Sequence, residues 1–232
     1  MRPPVAGGPR TVEALTAEAA IGERAMGTAD EPVAASADDA ALVRRVCAGE
    51  TDAYAQLVER YQERAVRLAF GLVHHWEDAR DISQDAFVKA YQRLDAFREE
   101  AAFSTWFYRI VVNACRDFQR RRRVRAWVSL DATSEEADGE DRSLFEPPSH
   151  DALPDAQAAD RELGAALTRA IDQLPDRQRT AFILKHLEGL SIEETAGVLQ
   201  CASGTVKAHL FHAAAHLQRA LRSAGYTEHV HD

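Results

Sequence analysis

Apolar side chains in this 232-residue chain recur at i, i+3 and i+4 in two separate stretches, and no stretch alternates with period two. That spacing lays one apolar stripe along each of a series of helices, whereas a half-buried strand needs every second residue apolar. The chain therefore reads as all-α. In the first stretch Asp38-Asp39 can cap a short helix that turns Leu42, Val43 and Val46 inward and stops at Gly49. Thr51 or Asp52 starts a long helix with Leu57, Tyr61, Leu68 and Leu72 on its inner face. A third, from about Glu77 to Leu94, buries Ile82, Ala86, Phe87, Ala90, Tyr91 and Leu94. A fourth begins after Ser104, whose hydroxyl is a good N-cap, and buries Phe107, Ile110, Val111, Ala114 and Phe118.

The second stretch repeats the logic on a smaller scale. Leu163, Ala166, Leu167, Ala170, Ile171 and Leu174 share one face of a helix that Pro175 ends, and Arg179 to Leu187 make another. Ile192 to Leu199 and Thr205 to Leu221 then form a helix-turn-helix, with Ser203-Gly204 in the turn. A recognition helix enters the major groove by its N-terminal residues, here Ser203, Thr205, Lys207, Ala208, His209, Phe211 and His212.

Charge divides the chain more sharply than hydropathy does. The net charge of −9 seems to disfavour a polyanionic partner, but residues 1–39, 40–125, 126–159 and 160–232 carry −4, +4, −8 and −1. The excess acid thus sits in an N-terminal extension and in a tether, both too polar or too rich in Ala, Gly and Pro to offset the entropy of ordering. The expected organisation is an extension over 1–38, a helical block over 39–125, a flexible acidic linker over 126–159, a second helical block over 160–222 and a tail over 223–232.

Several classes are set aside. No uncharged apolar run approaches the ~20 residues of a transmembrane helix. Pro3, Pro4, Gly7, Gly8 and Pro9 stand where a secretory signal would have its apolar region, so the chain is expected in the cytoplasm without membrane insertion. Cys47, Cys115 and Cys201 are odd in number and lack CxxC spacing, which fits buried small residues better than a disulfide or zinc site. His209, His212 and His216 fall at i, i+3, i+7, but no Cys, Asp or Glu on that helix completes a shell, so no metal and no cofactor are assigned. Neither a carboxylate cluster, a Ser/His/Asp set nor a phosphate-cradling glycine loop supports an enzyme.

Polar residues left over once the apolar faces turn inward carry the functional signal. Asp78, Asp81, Gln84 and Asp85 form one solvent-facing stripe on the third helix, and Arg120, Arg121, Arg122 and Arg123 with Arg125 follow the last apolar anchor of the fourth. Alone, these could be a solvated face and a solvated helix end. The order Asp78-Ala79-Arg80-Asp81-Ile82-Ser83-Gln84-Asp85-Ala86-Phe87, then Phe97-Arg98, then Phe103-Ser104-Thr105-Trp106-Phe107-Tyr108-Arg109-Ile110 with Asn113, resembles region two of bacterial sigma factors of the extracytoplasmic-function group. Leu174-Pro175 and Gly189-Leu190-Ser191 ahead of the helix-turn-helix resemble region four of the same proteins. The likeness covers about 39–125 and 160–222, in order, with no region-three domain between.

What the resemblance implies is specific. Asp81, Gln84 and Asp85 would dock on a coiled coil of the polymerase β′ subunit, and region four would meet the β flap. The loop Phe97–Phe103 and the start of the fourth helix would hold a flipped base of the minus-ten element, with Asn113 bonding to it and Phe97, Trp106 and Tyr108 as aromatic partners. Trp106, at helical spacing with Ile110, fits the core equally well. Arg120 to Arg123 would meet phosphate. Relatives commonly carry arginines on the recognition helix, where this chain has His209, His212 and Ala214. A weaker minus-35 grip is expected, tightening as pH falls through the ~6.5 region of free histidine. The tether would occupy basic polymerase channels until RNA displaces it, and an anti-sigma factor is usual in the group. A helix-turn-helix regulator acting without polymerase is the main alternative; it leaves the Asp81/Gln84/Asp85 stripe unused.

Overall fold

A computed structural model describes residues 37–98, 101–130 and 156–226, with side chains at 38–98, 101–125 and 163–226. Residues 1–36, 131–155 and 227–232 lie outside the described residues, so the expectations placed there do too; the ends of the expected linker at 126–130 and 156–159 are helical instead. Eight α-helices make up the described chain: α1 Ala37–Cys47, α2 Thr51–Val73, α3 Trp76–Gln92, α4 Phe103–Leu130, α5 Ala156–Asp172, α6 Asp176–Phe182, α7 Ile192–Leu199 and α8 Ser203–Ser223. A 3₁₀ turn, Leu94–Ala96, follows α3, and a π turn, Ile183–Leu187, continues α6. No strand occurs among the described residues.

Helices α1 to α4 pack as a bundle around Leu57, Tyr61, Leu68, Phe107 and Val111, all fully buried. The short α1 buries Leu42 and Val43 and is also held by polar contacts. Asp39 does not cap it; it lies inside the first turn, 2% exposed, accepting hydrogen bonds from Tyr61 Oη and Arg60 of α2. A buried carboxylate is tolerated only when so paired. Helix α4 also opens earlier than expected, at Phe103, whose ring packs against Tyr61 and Phe107 at 5.4 and 5.9 Å. Ser104 is therefore inside the first turn and buried, not the cap.

In the second block, Ser191 caps α7 through a complete capping box: its Oγ accepts from Glu194 N at 3.1 Å while Glu194 Oε2 accepts from Ser191 N at 2.8 Å. The turn into α8 is made by Gln200 in the left-handed region, φ 55°, and Ser203 and Gly204 belong to the helix, not the turn. Ala170, Leu174, Phe182, Ala213 and Leu217 form the block's own small core.

Two separate domains would each close their own core, but eight buried apolar residues of the second block lie outside that small core. Ala181, Ile183, Leu184, Leu190, Ala196, Val198, Leu199 and Val206 join one continuous cluster with the residues of α1 to α4. Close approach is possible because glycine stands on both sides: a Cβ at Gly71 of α2 would lie 2.7 Å from Ile183 Cδ1, and one at Gly197 of α7 would lie 3.2 Å from Thr105 Cγ2 of α4. The blocks meet along a packed seam.

Candidate nucleic-acid and polymerase interface

Helix α3 turns Ile82, Ala86, Phe87 and Ala90 inward, which leaves Asp81, Gln84 and Asp85 exposed as one stripe. Asp78, half-buried one turn before the stripe, belongs to the helix start: its backbone N–H donates to Nδ1 of His75, the helix N-cap, and its carboxylate lies 3.4 Å from the same nitrogen. The stripe continues into Val88, 56% exposed, and Tyr91, 49% exposed. Helical register alone places Tyr91 in the core; Tyr54 takes that place, donating to Phe87 O and meeting the Tyr91 ring edge-on at 4.9 Å. Burial drives the Tyr54 phenol up to about 12, so it remains a donor at any physiological pH. An apolar extension on an acidic stripe carries no signal in the sequence beyond the helical register of Val88.

At the start of α4, Phe97, Phe103 and Trp106 form an aromatic group with centroid separations of 5.3 to 6.0 Å. Phe97 and Trp106 are half-buried, so each packs on the core and still offers ring surface, which reconciles the two readings of Trp106. Asn113, two turns on, is exposed on the same side, with half-buried Arg109 between them. Arg109 joins the candidates through this placement.

Tyr108 does not belong to this face. It is fully buried against Tyr61 and Phe107, and its hydroxyl donates to Glu188 Oε2 of the second block at 3.1 Å. Burial first, and then the Glu188 charge, hold its phenol well above the ordinary range. Two residues along a helix is a rotation of about 200°, so Trp106 and Tyr108 look in nearly opposite directions. The arginine run divides for the same reason. Arg120 to Arg123 are all exposed, but Arg120 reaches Asp117 at 3.0 Å and Arg123 reaches Asp176 of the second block at 3.2 Å. The run spreads over about 300° of helix surface, and Arg123 faces the seam.

The seam itself is polar at one end. His74, in the left-handed region at φ 59° after α2, accepts from Arg179 Nη1 through Nε2, and its Nδ1 lies 3.4 Å from Asp172 Oδ1. Burial, and then Arg179, push the His74 imidazole down to about 4, while burial pushes Asp172 up to about 6. His74 is therefore neutral at pH 7 and the 3.4 Å approach is not an ion pair there.

On α8 the buried face is Val206, Ala213, Leu217 and Leu221, which leaves Thr205, Lys207, Ala208, Phe211 and His212 exposed and Ser203 and His209 at the edges of that surface. Phe211 is 72% exposed, with the edge of His212 near its ring, at 5.7 Å. Burial, then Arg177 of α6 and His212, lower the His209 imidazole. Its protonation window accordingly sits below the free-histidine region used for the expected pH response. Arg177 also supplies a cation beside the recognition helix that no inspection of α8 alone could reveal. Among the described residues no group of three or more His, Cys, Asp or Glu converges as a metal site, and no helix is long and apolar enough to cross a membrane.

Residues 57–125 match the family described as Sigma-70 region 2, and residues 164–221 match Sigma-70, region 4. The chain is 38% identical over 189 residues to the RNA polymerase sigma-H factor of Pseudomonas aeruginosa, an overlap of 79% of this chain and 94% of that protein. It is 36% identical over 179 residues to the ECF RNA polymerase sigma-E factor of Escherichia coli K12, covering 75% and 90%. Among solved structures it resembles CnrH in complex with the cytosolic domain of CnrY, with TM-score 0.58, 25% identity and coverage of 82% of this chain and 99% of that one. It also resembles the sigma factor RpoE in complex with the anti-sigma factor NepR from Bartonella quintana, with TM-score 0.56, 26% identity and coverage of 73% and 96%.

Proposed function

The chain belongs to the extracytoplasmic-function group of the sigma-70 family, and on that premise we propose how its exposed surfaces divide the work of an alternative sigma factor in transcription initiation. Asp81, Gln84 and Asp85 dock on the β′ coiled coil of core RNA polymerase, with Val88 adding apolar contact at the end of the stripe. Phe97 and Trp106 stack a flipped base of the minus-ten strand while Asn113 bonds its edge, and Arg120, Arg121 and Arg122 neutralise phosphate. Tyr108 has no part in that contact. Thr205, Lys207, Ala208, Phe211 and His212, flanked by Ser203 and His209, enter the major groove at the minus-35 element, and the second block meets the β flap.

The protein acts without catalysing a reaction and works in the cytoplasm, where its partners are core polymerase and promoter DNA. An anti-sigma factor restrains it, in keeping with the complex that RpoE of Bartonella quintana forms with the anti-sigma factor NepR.

Those contacts require the seam to open. Elements centred about 25 base pairs apart are separated by ~85 Å of duplex at 3.4 Å per pair. In the closed packing α4 touches α7 and α7 touches α8, and with helix axes 8–10 Å apart the two DNA faces lie within roughly 30 Å of each other. The closed form is an off-DNA form.

The exposed Asp81/Gln84/Asp85 stripe carries this reading, because a regulator acting without polymerase has no use for it. Asp81→Lys combined with Asp85→Lys should abolish co-purification with core polymerase and run-off transcription while leaving the helical circular dichroism signal intact. Undiminished polymerase binding by that double variant would return the chain to the class of lone helix-turn-helix regulators.

A further inference from the structure

We propose that the cleft at the seam between α4 and α6 binds a compact oligophosphate, which bridges the two blocks and holds them closed. The cleft is about 740 Å³ and is lined by Arg116, Arg120 and Arg123 from α4 and by Arg177 and Arg179 from α6, with Asp176 as the single carboxylate among the described lining residues. Five guanidiniums thus line the cleft beside one carboxylate, and Arg120 also reaches Asp117 at 3.0 Å. Asp176 is already shared, lying 3.2 Å from Arg123 and 3.5 Å from Arg179.

The imbalance is worst where the blocks touch. Arg116 is half-buried, its Nη2 is enclosed without a hydrogen-bond partner, and the Nε of Arg179 is enclosed in the same way. Desolvation first, and then the charge of Arg177 across the seam, oppose the protonated form of Arg116. The closed packing therefore brings like charges together and leaves buried donors unmet. The crowding of like charge calls for an anion with several acceptor oxygens, which arginine meets bidentately. Such a ligand touches residues of both blocks only when they are together, so by linkage it must favour the closed form. Phosphate in this arrangement could come from a free oligophosphate or from a nucleic-acid backbone. The cleft is walled by both blocks in a form that cannot span a promoter, which favours the free anion.

The test uses the full chain and inorganic tripolyphosphate in calorimetric titration at about 0.15 M salt, where exposed charges are largely screened. One saturable site per chain is expected, weakened about tenfold or more by Arg177→Ala and by Arg116→Ala and left unchanged by Arg169→Ala, an exposed arginine on α5. Small-angle scattering should show the ligand shifting the chain toward its compact form. Sulfate at matched ionic strength binding as well as tripolyphosphate, or Arg169→Ala costing as much as Arg177→Ala, would overturn the site. Arg177-dependent binding of a six-nucleotide single strand but not of tripolyphosphate would overturn the free-anion assignment in favour of a nucleic-acid backbone. Competition between tripolyphosphate and promoter DNA rests on the proposed function, whereas the titration does not, so failure of one is distinguishable from failure of the other.

Discussion

Gly71→Leu should pry the two blocks apart without harming either. Gly71 sits inside α2 opposite Ile183, and a Cβ there would approach Ile183 Cδ1 to 2.7 Å, before the three further carbons of a leucine side chain are placed. Overpacking of a well-filled contact costs about 1–3 kcal/mol. Leucine also regains most of the ~0.8–1 kcal/mol that glycine loses in a helix interior, but that gain is equal in the open and closed forms and cancels. At 1.4 kcal/mol per decade, the open-to-closed ratio should rise about 5- to 150-fold. Small-angle scattering of the full chain would report this as a longer maximum dimension with unchanged helical content. The open form is the one that spans a promoter, so half-maximal run-off transcription should need less protein. Ile183→Ala combined with Gly71→Leu vacates the space that the introduced side chain needs and should restore much of the closure, a coupling that a double-mutant cycle isolates. An unchanged scattering profile for Gly71→Leu, or a double variant more open than the single one, would refute the idea that this contact sets the closed packing.

Further consequences are independent of that contact. Ser191→Ala removes the capping box of α7 and should lower stability to denaturant by ~1 kcal/mol. Phe211→Ala alters a side chain that is 72% exposed, so the thermal midpoint should hold within the effect of ~0.5 kcal/mol while affinity for minus-35 duplex falls in fluorescence anisotropy. The seam's two titrating groups oppose each other in acid. His74, lowered to about 4 from 6.5, binds its proton more readily when unfolded, so its contribution to stability is lost as pH falls from 6.5 to 4. Asp172, raised to about 6 from 3.8, binds its proton more readily when folded and adds stability as pH falls from 6 to 3.8. Urea denaturation of the parent chain should change little from these groups over that range, whereas Asp172→Asn should leave the His74 loss uncovered and steepen the decline.

The fold class, the helix count per block and the exposed stripe of α3 were legible because helical periodicity sorts residues by direction. What escaped the sequence lacks a hydropathy signature. Gly71 and Gly197 enable the seam by having no side chain, and Ile183, Leu184 and Val198 look like core of their own block until the other block covers them. Asp39 reads as a cap because acids favour first turns, yet Tyr61 and Arg60 draw it inward. Gln200 turns the helix-turn-helix although Gly204 is the expected turn residue; a Cβ at Gly204 would meet nothing within 4 Å. Tyr108 was within reach of sequence reasoning: aromatic type suggested stacking, but its angular position on α4 already set it apart from Trp106.

That angular separation explains how one helix can serve two states. At about 100° per residue, Trp106, Ile110 and Asn113 cluster on one side of α4, Thr105, Tyr108 and Val112 cluster roughly a third of a turn away, and Arg109 and Arg116, seven residues apart, share the edge between them. The first group keeps its exposure in the closed form, while the second is sealed by α7, by Glu188 and by the arginine-lined cleft. Arg120 falls between the two directions and lines the cleft, so it is available to either. Strand capture on the first face therefore does not by itself break the seam. On the proposed assignment of the two DNA faces, distance along the duplex opposes the closed form, because a second block released from α4 is needed to reach the minus-35 element. On this geometry the isolated minus-ten single strand should bind the closed chain and the Gly71→Leu chain with similar affinity, whereas a duplex carrying both elements should distinguish them in the polymerase-bound state. Equal discrimination on the short strand would place the control of closure on the minus-ten face instead.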